Sequence, residues 1–343
     1  MKPRRPRLRD ELVTLAHGSG GKASRALVEG LFLEELSNPL LDPLGDSALL
    51  ELNGSRLAFT TDSYVVHPLE FPGGDIGELA VNGTVNDLAV AGAWPLALSA
   101  GFVLEEGFEV ARLRRLAASM AHAAEAAGVP VATGDTKVVE RGKGDGVYVN
   151  TAGIGVVHAG ARLGAEHVRE GDRVLVSGTL GDHGMAVMIA RGELRLEVEL
   201  ESDTAPLHEL AAGLLELGEA VRWLRDPTRG GLATALNELA REAGLAVALE
   251  EAALPLRPEV VGACEILGID PLYVANEGKL VAVVAPEAAE DALARLRASP
   301  LGAEAAIVGE VRAEPEGLVL LDTAFGGSRI VDMLVGDPLP RIC

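Results

Sequence analysis

Four aspartates stand in short frames of small residues: Asp46 in "GDS", Asp62 in "TDS", Asp87 in "VNDL" beside Asn86, and Asp135 in "GDT". Each falls at an end of an expected element. Taken singly, each fits an Asx-turn or a helix cap, where a short acid accepts backbone N–H groups. Four together suit another purpose as well. A magnesium ion bound to a nucleotide takes hard oxygen ligands, a few carboxylates with phosphates and water. Acids from separate turns can converge at one end of a sheet and hold such an ion, which makes Asp46, Asp62, Asp87 and Asp135 the candidate metal ligands. The lysines point the same way. Of the 30 basic residues only Lys2, Lys22, Lys137, Lys143 and Lys279 are lysine, and three of these end small-residue motifs: "GGK", "GDTK" and "NEGK". A compact ammonium differs from a guanidinium in reach and titration. Lys22, Lys137 and Lys279 are therefore candidates for phosphate or proton work, with chance placement as the alternative.

Three further motifs carry possible chemistry. In "HGSGGK" the residues Gly18, Ser19, Gly20 and Gly21 let backbone N–H groups approach an anion, with Lys22 supplying charge. This is not a Walker A loop, because Ala16 stands at its first glycine and Ala23 where Ser or Thr belongs; a plain flexible loop is the bland reading. In "DPTRGG" Asp226 can cap a helix, Pro227 suits its first turn, and a helix start with Arg229 beside it is also an anion site. In "NEGK" Glu277 stands just before a strand, either in a simple turn or as a general base.

The chain closes on "GDPLPRIC" and so places Cys343, one of its two cysteines, last. Chain ends fray, and an exposed thiol is open to oxidation and exchange. A reactive group kept where it is hardest to protect implies that exposure is its job. Cys264, in "EVVGACEIL", reads instead as a buried helix cysteine.

The elements that must hold these groups read as a two-domain α+β protein. The chain has 343 residues, 48% hydrophobic and 24% charged, with a net charge of −21. That charge argues against binding driven by nucleic-acid phosphates. Two cysteines make no disulfide framework, and a reducing cytoplasm is the default expectation. The basic start "MKPRRPRLRDEL" lacks a signal peptide's apolar stretch. The apolar run from Leu88 to Leu104 contains Pro95 and is shorter than the ~20 residues a membrane span needs. It reads as a helix end, a turn at "GAWP" and a buried strand. The expected organisation is an N-terminal segment with the glycine loop (1–45), a first domain (46–160), a second (161–330) and a tail (331–343). Strands are expected at "RLAFTTD", "PLALSAGFVLE", "VPVATGDTKV" and "GVYVNTAGIGVV", with an amphipathic helix over 109–127. The second half repeats the mix, with helices near 183–191, 204–219, 229–243 and 287–297.

As a set and in this order, "HGSGGK", the acids at 46, 62, 87 and 135, and "DPTRGG" resemble the aminoimidazole ribonucleotide synthetase-related ATP enzymes. That resemblance implies a PurM-like architecture whose N-terminal sheet pairs with its copy in a homodimer, followed by an α+β C-terminal domain and, here, a mobile tail. It also implies ATP in the cleft, its phosphates held by Mg2+ and the aspartates. Gly18, Ser19, Gly20, Gly21, Lys22, Asn86, Asp226 and Arg229 would join those acids at the nucleotide. The terminal "PRIC" is similar to the HypE branch, the carbamoyl dehydratases of nickel–iron hydrogenase maturation. There the last cysteine accepts a carbamoyl group from HypF, ATP drives its dehydration to a thiocyanate, and cyanide passes to iron on a HypC–HypD complex. The resemblance makes Cys343 the carrier, Lys137 a group that steadies developing charge and Glu277 the candidate base. The alternatives are another ATP-dependent kinase or synthetase of the superfamily with an incidental tail, and an inactive scaffold whose tail only docks partners.

Overall fold

The computed structural model describes residues 10–18, 20–192, 199–334, 336, 339 and 341–343. Among them, two sheets and the helices packed on them build the α+β architecture. The first sheet holds β1 (Ala48–Leu52), β2 (Ser55–Tyr64), β3 (Ala93–Glu105), β4 (Val131–Val139) and β5 (Val147–Val157), in the order β1-β2-β5-β3-β4. Only β3 and β4 pair in parallel, and they are joined by the helix Val110–Ala126, as a parallel crossover requires. That helix starts and stops within a residue of its expected 109–127. Its Gly128 has φ +64° just beyond the last turn, the left-handed stop that glycine permits.

The "GAWP" segment differs from its expected turn. The turn lies at Ala91–Gly92, and Trp94 and Pro95 already belong to β3. Proline lacks the N–H that a regular ladder needs, and the β3–β5 register shifts between Pro95 and Ala97 to accommodate it.

The helix Ile76–Val90 was legible in sequence only at its end. Asp75 caps it by accepting the N–H groups of Gly77 and Glu78 at 2.7 and 3.1 Å. It is buried along nearly its whole length, which is how a helix apolar on every side behaves. Leu79, Val85 and Leu88 are fully enclosed, each contributing about 1.5–3 kcal/mol relative to exposure. The polar residues Asn82, Asn86 and Asp87 on this helix are thereby forced inward.

The second sheet has the order β12-β11-β8-β10-β6-β9-β7, built from β6 (Arg173–Val176), β7 (Val221–Arg225), β8 (Ala246–Glu250), β9 (Val281–Val284), β10 (Ala306–Arg312), β11 (Val319–Asp322) and β12 (Ser328–Ile330). Helices Asp182–Ala190, His208–Leu215, Gly231–Ala243, Pro258–Leu267 and Ala289–Arg297 accompany it. The expected helix over 204–219 contracts to His208–Leu215, because 199–207 runs as an extended loop beneath the first domain. Cys264 is buried on its helix, as expected. No helix among the described residues is long and apolar enough to cross a membrane.

Candidate active site

Asp46 precedes β1, Asp87 lies near the end of the Ile76–Val90 helix, and Asp226 follows β7. The fold brings these three together, with one carboxylate oxygen from each inside a 4.8 Å circle. They line a cavity of about 280 Å³ that also takes in Gly20, Asp62, Arg229 and Glu277. Three carboxylates at that spacing repel one another unless a cation or protons sit among them. Burial pushes Asp87 well above the ordinary carboxylate range, with the neighbouring Asp226, Asp46 and Asp62 adding to the effect. Burial, then Asp46, raises Asp226 to about 7. Asp46 is raised too, by burial, although Arg225 beside it pulls the other way. A hard divalent cation fits this donor set better than protons do at neutral pH.

Two second-rank contacts fix the acids. Thr60 Oγ1 donates to Asp87 Oδ2 at 2.7 Å, and Arg225 pairs with Asp46 at 3.2 Å and Glu238 at 2.7 Å. Burial works against the Arg225 charge, but its acidic neighbours outweigh it and hold the guanidinium charged.

The glycine loop folds onto "DPTRGG". Arg229 Nη1 donates to the Gly18 carbonyl at 2.9 Å. Gly20 has φ +77°, and a Cβ there would fall 2.8 Å from the Arg229 carbonyl oxygen, so only glycine allows this approach. Asp226 does not cap the following helix as the sequence suggested. Gly230 occupies the cap position with φ +78°, and the helix begins at Gly231 with φ +59°. A Cβ at Gly231 would lie 2.5 Å from the Leu272 carbonyl oxygen. The strand-to-helix turn therefore needs both glycines, and they free Asp226 to face the cavity.

Glu277 is 3% exposed, and its Oε1 has no hydrogen-bond partner among the described residues. Burial lifts it well above the normal carboxylate range, Asp226, Asp62 and Asp203 add to this, and Arg229 partly offsets it. A buried carboxyl with a raised pKa beside a cavity is a candidate for proton transfer.

The end of the chain is held against the segment that follows β2. Val65 N–H donates to the Cys343 carbonyl at 3.1 Å and His67 N–H to the Arg341 carbonyl at 3.1 Å. Two backbone hydrogen bonds thus tie the last residues to the segment after β2, with Arg341 in a left-handed conformation at φ +56°. Arg341 ion-pairs with Asp145, and Leu339 and Ile342 are buried. Cys343 is the largest electrostatic influence keeping Arg229 charged.

The model of the AIR synthase related protein, N-terminal domain, matches residues 44–157, and that of its C-terminal domain matches 169–321. The carbamoyl dehydratase HypE of Rhodobacter capsulatus is 59% identical over 339 residues, covering 98% of this chain and 99% of the relative. The chain belongs to the HypE family of carbamoyl dehydratases. Among solved structures, HypE in the HypE–HypF complex superposes with a TM-score of 0.86 at 48% identity, covering 90% of this chain and all of that one. HypE in complex with ATP gives 0.81 at 47% identity, covering 97% of this chain and all of that one.

Within this HypE-family chain, other sequence candidates stand apart from the cavity. Asn86 does not face it. The Asn86 amide donates to the Glu277 and Ala205 carbonyls at 2.9 and 3.0 Å and its oxygen accepts Leu207 N–H at 2.8 Å, so it braces the Glu277 main chain. Lys22 pairs with Asp332 at 2.5 Å. Ser19 lies outside the described residues. Asp135 and Lys137 pair with each other on the exposed edge strand β4. Residues opposite one another in a ladder share a face. Asp62 pairs with Thr151, Thr151 with Ala100, and Ala100 with Gly134. Asp135 and Lys137 therefore lie on the opposite face from Asp62, and within one chain the third acid of the cluster is Asp226. The sequence places Asp226 with the nucleotide-binding residues but not among the metal ligands, although "RDP" sets an arginine and an acid side by side at a strand end.

Proposed function

We propose that this protein carries a carbamoyl group on Cys343 and dehydrates it to a thiocyanate at the expense of ATP. The observation that carries the reading is that the last residues are held against the segment after β2, with Cys343 acting electrostatically on Arg229, which lines the cavity of the acid cluster and Glu277. An amide keeps its oxygen because hydroxide is a poor leaving group. The carbamoyl oxygen attacks the γ-phosphorus, forming a C–O–P link while the bond to ADP breaks. One N–H proton is lost in that step, and loss of the second lets phosphate depart with its electron pair, leaving S–C≡N. The net products are thiocyanate, ADP, phosphate and a proton.

In this reading Asp46, Asp87 and Asp226, with Asp62 nearby, hold Mg2+, which when bound neutralises phosphate charge. The Gly18–Gly21 loop and Arg229 orient the phosphates, and Glu277 takes the second N–H proton. Positioning and charge neutralisation then supply most of the acceleration. A HypF-type enzyme would load the thiol and a HypC–HypD-type iron scaffold would accept the cyanide, in the cytoplasm. Proline-containing "GDPLPRIC" suits a tail that travels between such partners with limited disorder.

The outer face of the first sheet exposes Leu52, Phe59, Val103 and Val156. On the register above they share one side with Asp135 and Lys137, and a second copy of the sheet would cover them. Phe59→Glu combined with Val156→Glu is expected to convert a dimer into monomers in chromatography with light scattering. Unchanged mass would remove this face from the assembly.

Intact-mass spectrometry after incubation with a HypF-type partner, carbamoyl phosphate and ATP tests the main reading. The expected result is a carbamoyl adduct on Cys343 that loses one water only when ATP can be cleaved, with Cys343→Ala as the blank. No adduct with a demonstrably active partner would return the protein to the kinase or synthetase reading.

A further inference from the structure

The Arg341 and Cys343 carbonyls accept from His67 and Val65, and the Ile342 carbonyl between them turns into the protein. There it meets His183, fully buried in the first turn of the Asp182–Ala190 helix, with Nε2 3.0 Å from the Ile342 oxygen. The other ring nitrogen, Nδ1, lies 2.8 Å from Ser202 Oγ, and Ser202 Oγ accepts Thr204 N–H at 3.1 Å. These contacts leave one consistent proton arrangement. The carbonyl can only accept, so Nε2 carries the hydrogen. Nδ1 is then an acceptor, and the Ser202 hydroxyl donates to it. Burial favours the same neutral ring by lowering the pKa of His183.

The loop at the far end of this relay supports the candidate base. Asp203 accepts Glu277 N–H at 3.0 Å through Oδ1 and pairs with Lys279 at 3.1 Å through Oδ2. Ser202 is itself tied to the Pro72 carbonyl at 2.8 Å. One side chain therefore joins the carrier tail to the loop that holds Glu277.

We propose that His183 is the positioning residue that seats the carrier tail, holding the Ile342 carbonyl and thereby setting where Cys343 rests relative to Glu277. The catalytic half of this rests on the carrier reading above; the seating half does not. A buried acceptor left without its donor disfavours the docked pose, and a loss of that kind corresponds to about a tenfold change in the docked equilibrium.

The test compares full-length wild type with His183→Asn and His183→Gln. Glutamine extends a donor to about the position of Nε2, whereas asparagine reaches only as far as Nδ1. Iodoacetamide labelling of Cys343, followed by peptide mapping and performed without any partner, reports seating. His183→Asn is expected to label about tenfold faster, with His183→Gln close to wild type. Single-turnover dehydration of protein carbamoylated on Cys343 should fall about tenfold in the asparagine variant and recover in the glutamine one, with ATP affinity unchanged in both.

Labelling of His183→Asn at the wild-type rate would overturn the proposal. So would equal defects in both variants accompanied by weakened ATP binding, because His183 would then matter only for packing. If neither variant folds, Ser202→Ala removes the hydroxyl that sets the tautomer; about threefold faster labelling supports the proposal and no change overturns it. Failure of wild type to form a thiocyanate would count against the carrier reading and leave the labelling result intact.

Discussion

Glu277→Gln is expected to leave Cys343 fully loadable with carbamoyl and to slow its dehydration by about 10²–10⁴-fold, the usual contribution of a positioned proton acceptor. Glutamine keeps the shape of the buried side chain but cannot take a proton. Loading is the partner enzyme's chemistry on the Cys343 thiol, so it does not need Glu277. The substitution also removes a buried carboxyl whose Oε1 finds no partner among the described residues, and so the variant should be no less stable than wild type. Acid dependence gives a second handle. The carboxyl accepts a proton only when ionised, and burial with Asp226 and Asp62 nearby raises its pKa well above the ordinary value of 4.5. Single-turnover dehydration should therefore increase with pH as Glu277 ionises and lose that limb in the variant. A variant that dehydrates at the wild-type rate would assign the proton to another group.

Much of this site was legible in sequence because its parts are short and chemically unusual. The frames around Asp46, Asp62 and Asp87, the glycine loop and "NEGK" all concern residues that meet in one cavity. What stayed hidden depends on relations that a linear reading does not contain. Asp226 is legible as a residue of the nucleotide site but not as a metal ligand, because local turn chemistry also favours aspartate before a helix. Only the left-handed Gly230 and Gly231 show that the cap lies further on. Asp135 and Lys137 look equivalent to the other acids and lysines until strand register puts them on the opposite face from Asp62. Asn86 beside Asp87 could not be known to point elsewhere until its helix was seen to be buried on nearly every side. His183 had no motif at all, since its partners are 19 and 159 residues away. The α+β class follows from patterns along the chain, the tail's chemical role is what the family resemblance implies, and the seat of the tail comes from tertiary packing alone.

Asp226→Asn should move activity and stability in opposite directions. Activity is expected to fall by at least about 10²-fold, because the variant loses one of three carboxylates that would hold the metal and thus part of the charge neutralisation on which phosphoryl transfer depends. Stability without metal should rise. Asp46, Asp87 and Asp226 repel one another in a buried setting, and an amide of the same size removes that repulsion while retaining hydrogen-bonding capacity. In chelator at neutral pH the variant should melt about 1.5 °C above wild type, the shift that roughly 1 kcal/mol gives in a chain of this size. The pH dependence has a definite sign. Asp226 ionises near 3.8 when unfolded and at about 7 in the folded protein, so the native state binds more protons between those values. In metal-free wild type its contribution is complete below about pH 4 and is lost as the pH rises to 7. The variant should show a flatter melting profile over that window. Magnesium should reverse the order at neutral pH, since binding to the folded state stabilises wild type more than the variant. A variant that melts below wild type in chelator would mean that Asp226 holds the turn together through bonds the amide cannot make. If magnesium raised both melting points equally, the ion would have to sit away from Asp226.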